Sequence, residues 1–164
     1  MTSDRVLAPP WRCSQWFNVG VGEAPTLARL RGKVVVLHAF QMLCPACVAH
    51  GVPLAEQIHR TADATDLAVV GLHTVFEHHA AMTPVALEAY LHEYRITHPV
   101  GVDVHAPGQA IPATMATYGM RGTPTLLVID RAGRIRQHLF GQVDALALGM
   151  LLGGLMAESG DAST

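Results

Sequence analysis

Apolar and polar positions divide the chain into alternating strands and helices. Lys33 is followed by Val34-Val35-Val36-Leu37-His38-Ala39-Phe40. A continuous, β-branched apolar run of this kind predicts a strand covered on both faces. Leu67–His73 repeats the pattern and predicts a second buried strand. Pro99–Asp103 predicts a short third one. Thr125–Asp130, the Ala132-Gly133 turn and Arg134–Phe140 then read as a hairpin. Helix signals fall between these strands. Cys44-Pro45 reads as an N-cap followed by proline at the first helical position, where a missing N–H costs nothing. That helix is expected to run to about Arg60, with Pro53 kinking it. Thr83-Pro84 repeats the cap signal and opens a helix to about Tyr94. Ile111–Tyr118 is a short helix that stops at Gly119, and Val143–Ala157 is the last. Early strand–helix–strand units predict a parallel part of the sheet and the closing hairpin an antiparallel part. The expected fold is α/β, a mixed sheet flanked by helices. Residues 1–14 and the tail Glu158–Thr164 read as linker-like.

Composition narrows the function classes. With 164 residues the chain is one domain, long enough to fold without a disulfide framework. Half of the residues are hydrophobic and 15% are charged, which excludes a disordered chain. Eleven Lys and Arg against thirteen Asp and Glu, with no block of one sign, give no nucleic-acid-binding face. Val34–Ala55 lacks Asp, Glu, Lys and Arg, but two prolines and two histidines interrupt it. Ala145–Ala157 is too short to cross a bilayer. No membrane partner is therefore expected. Val6-Leu7-Ala8 is too short for the apolar core of a secretory leader, so the expected compartment is the cytoplasm, where thiols stay reduced.

Candidate chemistry centres on Cys44-Pro45-Ala46-Cys47. A C-x-x-C pair is read as redox-active when it follows a buried strand and opens a helix. The free N–H groups at a helix start favour an anion beside Cys44, and the thiolate is the nucleophile. Cys47, one turn on, stands where it can resolve a mixed disulfide. Two ordinary buried cysteines, or half of a zinc site, are the alternatives. Zinc needs four ligands, and no paired histidines accompany this pair. Cys13 reads as incidental. Gly122-Thr123-Pro124-Thr125 enters the hairpin strand, and its proline is read either as a strand-edge residue or as a cis peptide.

Taken together, Leu30-Arg31-Gly32-Lys33, the first strand, Cys44-Pro45-Ala46-Cys47, Tyr118–Thr125 and Ile129–Ile135 resemble the TlpA/ResA-like thiol–disulfide oxidoreductases of thioredoxin fold. The resemblance covers roughly Trp16 to Met156. It implies an N-terminal extension over residues 1–15, a thioredoxin-like domain over 16–157 with a helix–strand insertion at Thr74–Asp103, and a flexible tail over 158–164. It implies that Cys44 attacks and Cys47 resolves. Thr123 and Pro124 would form the cis-proline loop that pairs with an extended substrate segment, with Leu43 and Pro45 beside them. Glu77 is the candidate to take the Cys47 proton; a solvated loop carboxylate is the other reading. The implied partners are a disulfide-containing protein and a dithiol electron donor, with no cofactor.

Several positions depart from the family pattern. Leu43 replaces a tryptophan. His38 stands where relatives carry Asp or Asn, and is read first as a core histidine and second as a proton relay to Cys47. Pro53 comes one residue late. Thiol peroxidases of the same fold carry Pro and Thr where Leu37 and Gln41 stand here, so peroxidase activity is the alternative rather than the expectation. His73, His78 and His79, at the end of the second strand, open a copper- or zinc-binding alternative with the cysteines. The uniformly apolar Ala145–Ala157 helix is expected to be buried all round, which in this fold requires a second chain and hence a homodimer.

Overall fold

The computed structural model describes residues 6–159. Six strands form one sheet: β1 (Cys13–Phe17), β2 (Val34–Phe40), β3 (Leu67–His73), β4 (Val100–Asp103), β5 (Thr125–Ile129) and β6 (Ile135–Phe140), in the order β1-β4-β3-β2-β5-β6. The β2–β3 and β3–β4 pairs are parallel. The β1–β4, β2–β5 and β5–β6 pairs are antiparallel. The sheet is thus mixed, as the strand–helix order requires. Four helices cover it: α1 (Val52–Thr61), α2 (Pro84–Glu93), α3 (Ala113–Thr117) and α4 (Ala145–Ala157).

Every residue of β2 and of β5 is buried, which is why these strands read as unbroken apolar runs. One face of β2 carries Val34 and Val36, packed with Val128 and with Leu148, Leu152 and Leu155 of α4. The other carries Val35, Leu37 and Ala39, packed with Ile129, Met115 and Tyr118. A third apolar group closes the carboxyl end of the sheet, where Phe40, Met42 and Cys47 meet Val52, Leu87 and Leu91. That end carries the cysteine pair.

Two features differ from the expected pattern. First, the segment before residue 15 is not a loose linker over its described part. Its strand β1 pairs with β4. Upstream of it, the Ala8 N–H donates to Gly133 O at 2.9 Å, and the Tyr118 hydroxyl donates to Pro9 O at 2.6 Å. Second, Glu158, the first residue of the expected tail, is held by Arg136 through two hydrogen bonds of 2.9 and 3.1 Å. Residues 1–5 and 160–164 lie outside the described residues. Within the single chain α4 buries one face only, which leaves the other for the expected second chain. Leu148, Leu152 and Leu155 face the sheet, whereas Leu146 and Met150 are 75% and 73% exposed.

The expected kink at Pro53 takes a specific form. The first helix begins at Pro45 and passes through a wider, π-type turn over Cys47–Gly51 before continuing as α1. Within it the Val52 N–H reaches back to Cys47 O. Proline has no N–H, and its ring collides with the carbonyl four residues earlier in a regular helix. One inserted residue removes that conflict and keeps Cys47 and α1 on one continuous element.

Candidate active site

Cys44 caps its helix as the sequence implies. Val48 N–H donates to Cys44 O at 3.0 Å, the first helical bond, and Cys47 N–H donates to Cys44 Sγ at 3.3 Å. The side chain therefore satisfies a helix donor that would otherwise lack a partner. Cys44 is half-buried, while Cys47 is wholly buried; both are free thiols. Burial above all, and then the neighbouring Cys44, push the Cys47 thiol up to about 12, against a backbone hydrogen bond from Gln41. One thiol is thus open to a partner protein and the other is protected and protonated, a division suited to attack followed by resolution.

The Thr123–Pro124 peptide is cis. This loop faces the helix start, with the Cys44 thiol donating to Thr123 O at 3.5 Å. Thr123 is half-buried, Pro124 buried and Pro45 exposed; Leu43 is 54% exposed. The structure therefore gathers Leu43, Cys44, Pro45, Cys47, Thr123 and Pro124 at one place.

Glu77 is exposed on the loop after β3. Its carboxylate accepts a 3.4 Å hydrogen bond from the Gln41 side-chain amide. Gln41, marked in the sequence only as a departure from the peroxidase pattern, has a role of its own here. It is buried, its amide oxygen accepts from Phe76 N–H at 3.1 Å, and its carbonyl accepts from Cys44 N–H at 3.1 Å. One side chain and its backbone thus tie the cysteine turn to the loop that carries Glu77. A buried glutamine directly after an apolar strand was the available signal, since such a group is kept only where it is hydrogen-bonded.

The histidines at the end of β3 do not converge. His73 is buried, and its Nε2 accepts from Met42 N–H at 3.1 Å; desolvation takes it down to about 4. His79 instead stacks on His105 at 5.0 Å, and His78 sits in an exposed left-handed turn. Among the described residues no three His, Cys, Asp or Glu side chains stand where they would hold a metal ion.

His38 lies beneath the site, 1% exposed, with no hydrogen-bond partner on either ring nitrogen among the described residues. Its ring stacks on Phe40 at 5.7 Å, and burial drives it down to about 3, leaving it neutral. A Cβ on Gly51 would stand 2.5 Å from His38 Nε2 and 3.1 Å from the Pro124 side chain. Alanine for glycine ordinarily strengthens a helix by roughly 0.5–1 kcal/mol. Here Gly51→Ala is expected to destabilise by about 1–3 kcal/mol, because the methyl group overpacks the space between His38 and Pro124. Denaturant unfolding measures this. The penalty shrinks in a His38→Ala background if the collision is its cause, and an equal penalty in both backgrounds would exclude that cause.

No family model matches the chain. Solved structures do, among them two crystal structures matched along nearly all of their length. One is of a thioredoxin-like superfamily protein, 56% identical, covering 93% of this chain and 97% of that one, with a TM-score of 0.89. The chain belongs to the thioredoxin-like superfamily. The other is of a thiol–disulfide isomerase from Corynebacterium glutamicum, 51% identical, covering 93% and 98%, with a TM-score of 0.86. The thiol–disulfide oxidoreductase ResA of Bacillus anthracis is 25% identical over 121 residues, or 74% of this thioredoxin-like chain and 62% of ResA. That match agrees with the TlpA/ResA-like resemblance. The chain spans less than two thirds of this curated relative.

Proposed function

We propose that this thioredoxin-like protein is a thiol–disulfide oxidoreductase working through Cys44 and Cys47. One observation carries the reading: an accessible helix-capping thiol stands against the cis-proline loop, with a buried thiol one turn behind it. Cys44, as thiolate, attacks one sulfur of a substrate disulfide. The S–S bond breaks, a Cys44–substrate disulfide forms, and the other substrate sulfur leaves as a thiolate. Cys47 then loses its proton and attacks Cys44 Sγ. The second substrate thiolate departs, and the Cys44–Cys47 disulfide holds the two-electron oxidation. A dithiol donor returns the electrons by the same two exchanges. Glu77 is the proton acceptor for Cys47 in this scheme, supported by its attachment to Gln41 beside both cysteines. Leu43, Pro45, Thr123 and Pro124 contact the substrate, whose extended backbone pairs with Thr123. Trapping a substrate on a Cys47 variant tests the scheme.

The proposal includes a homodimer through α4. From Ala145 to Ala157 the helix has no charged residue, and Gly149, Gly153 and Gly154 have open space around them. In an antiparallel crossing centred on Met150, Leu146 of one copy would meet Gly154 of the other, and large side chains would fill small positions. Light scattering at micromolar concentration is expected to give twice the 17.5 kDa chain mass, and half that for Leu146→Glu. A monomeric mass for the unaltered protein excludes the dimer.

A further inference from the structure

The cis-proline loop carries a charge for which the exchange chemistry has no use. Arg121 stands two residues before Thr123, exposed, and forms no ion pair with any described residue. Its guanidinium carbon lies 5.3 Å from the centre of the Phe140 ring. Phe140, 50% exposed, is itself fixed. It pairs in register with Thr125, and its ring lies so close to Gly122 that a Cβ there would stand 3.1 Å from it. The chain thus places a flat aromatic ring, and a guanidinium seated over it, directly beside Thr123, whose carbonyl meets the Cys44 thiol.

A ring holds a guanidinium without neutralising it. A carboxylate partner would do the opposite. Arg121 is therefore oriented yet keeps its full charge for a partner. The sheet order also separates the charges around Cys44. Glu77 follows β3, on one side of β2, whereas Arg121 and Phe140 adjoin β5 and β6 on the other. Leu43, beside Cys44, supplies an exposed apolar contact. A peptide paired with Thr123 would run beside the loop that carries Arg121, where an acidic side chain would be attracted and a basic one repelled.

We propose that Arg121, positioned by Phe140, is a specificity-determining residue that selects protein disulfides whose cysteine is flanked by an acidic side chain. This rests on the oxidoreductase reading and adds the substrate class to it. The test uses three disulfide-linked peptide dimers, identical except for Glu, Gln or Lys next to the cysteine. Each is mixed with the reduced protein. Cys44 attacks the peptide disulfide, one peptide leaves as its thiolate, Cys47 displaces the other, and mass spectrometry after alkylation follows formation of the Cys44–Cys47 disulfide. The Glu peptide is expected to react about five- to tenfold faster than the Lys peptide at low salt, with the ratio falling as salt rises. Arg121→Gln is expected to bring the Glu-to-Lys ratio to within about twofold, and Arg121→Lys to restore much of it. Arg121 is exposed, so the variants are compared at matched thermal midpoints. Equal rates for the three peptides on the unaltered protein, or a ratio that survives in Arg121→Gln, overturns this inference alone. No Cys44–Cys47 disulfide with any peptide, while Cys44 is still alkylated by iodoacetamide, overturns the oxidoreductase reading and the inference with it.

Discussion

Replacing Cys47 by serine is expected to arrest the protein as a lasting mixed disulfide between Cys44 and its substrate, and replacing Cys44 by serine to abolish exchange. The asymmetry follows from the two environments. Cys44 is the thiol that a partner reaches, so its loss removes the first bond-forming step and lowers turnover by roughly a thousandfold or more. Cys47 is fully buried and held up at about 12 by desolvation and its neighbour. It makes no attack on an external disulfide; it acts only once Cys44 is already bonded to substrate. Without it the first step still runs and the second does not. Non-reducing electrophoresis with mass readout separates the cases: an adduct with Cys47→Ser and none with Cys44→Ser. Because Cys47 packs among Phe40, Met42 and Val52, Cys47→Ala is prepared alongside, so that a loss of adduct through buried hydroxyl strain is recognised. An adduct that forms on Cys44→Ser, or failure of both Cys47 variants to accumulate one, would reverse the assignment of roles.

The second large effect is acid sensitivity. His38 and His73 are buried and neutral, lowered from 6.5 to about 3 and about 4, chiefly by desolvation. His98 is also lowered, by desolvation, although the Glu56 carboxylate 2.7 Å from its Nδ1 opposes that. In the unfolded chain each titrates near 6.5. Between that value and the folded ones, the unfolded state binds protons that the folded state refuses. Stability is therefore fully present above about pH 7 and falls as pH drops through 6.5 toward 4. Two to three excess protons correspond to about 3–4 kcal/mol per pH unit at the steepest point, against a usual total of about 5–15 kcal/mol. Denaturant unfolding at pH 7.5, 6 and 5 is expected to show this decline, with a shallower slope for His38→Leu. A flat profile over that range would mean that these histidines are protonated in the folded protein.

Acid sensitivity of this size is absent from the sequence pattern, in which His38 and His73 are single interruptions of apolar runs. What the pattern did contain was periodicity and local caps. Val34–Phe40 is a strand because six apolar residues and one histidine bury on both faces, and the structure gives those same bounds. Cys44-Pro45 caps a helix because each of the two residues has a local reason to stand there. Thr83 does likewise, its hydroxyl accepting from Ala86 N–H at 3.2 Å. The cysteine pair, the Thr123-Pro124 loop and the mixed sheet followed from these local facts and from resemblance.

Where non-local contacts decide, the pattern was silent. Cys13–Phe17 carries no clear alternation, and it is a strand because β4, far along the chain, offers it an edge. The Ala145–Ala157 helix is apolar on every face, so only its packing shows which face meets the sheet and leaves Leu146 and Met150 outside. Gln41 reaches Glu77 across 36 positions of sequence, and the three histidines near β3 share a neighbourhood in sequence but not in space.

By itself, then, the sequence determined the strands β2 to β6, the helix caps and the chemistry of Cys44 and Cys47, because periodicity, capping and side-chain reactivity act over a few residues. Only the tertiary structure decided which thiol is accessible, what ties Glu77 to the cysteine turn, and where Arg121 and Phe140 stand beside Thr123. Burial and hydrogen bonding between distant segments exist only once the sheet has brought those segments together.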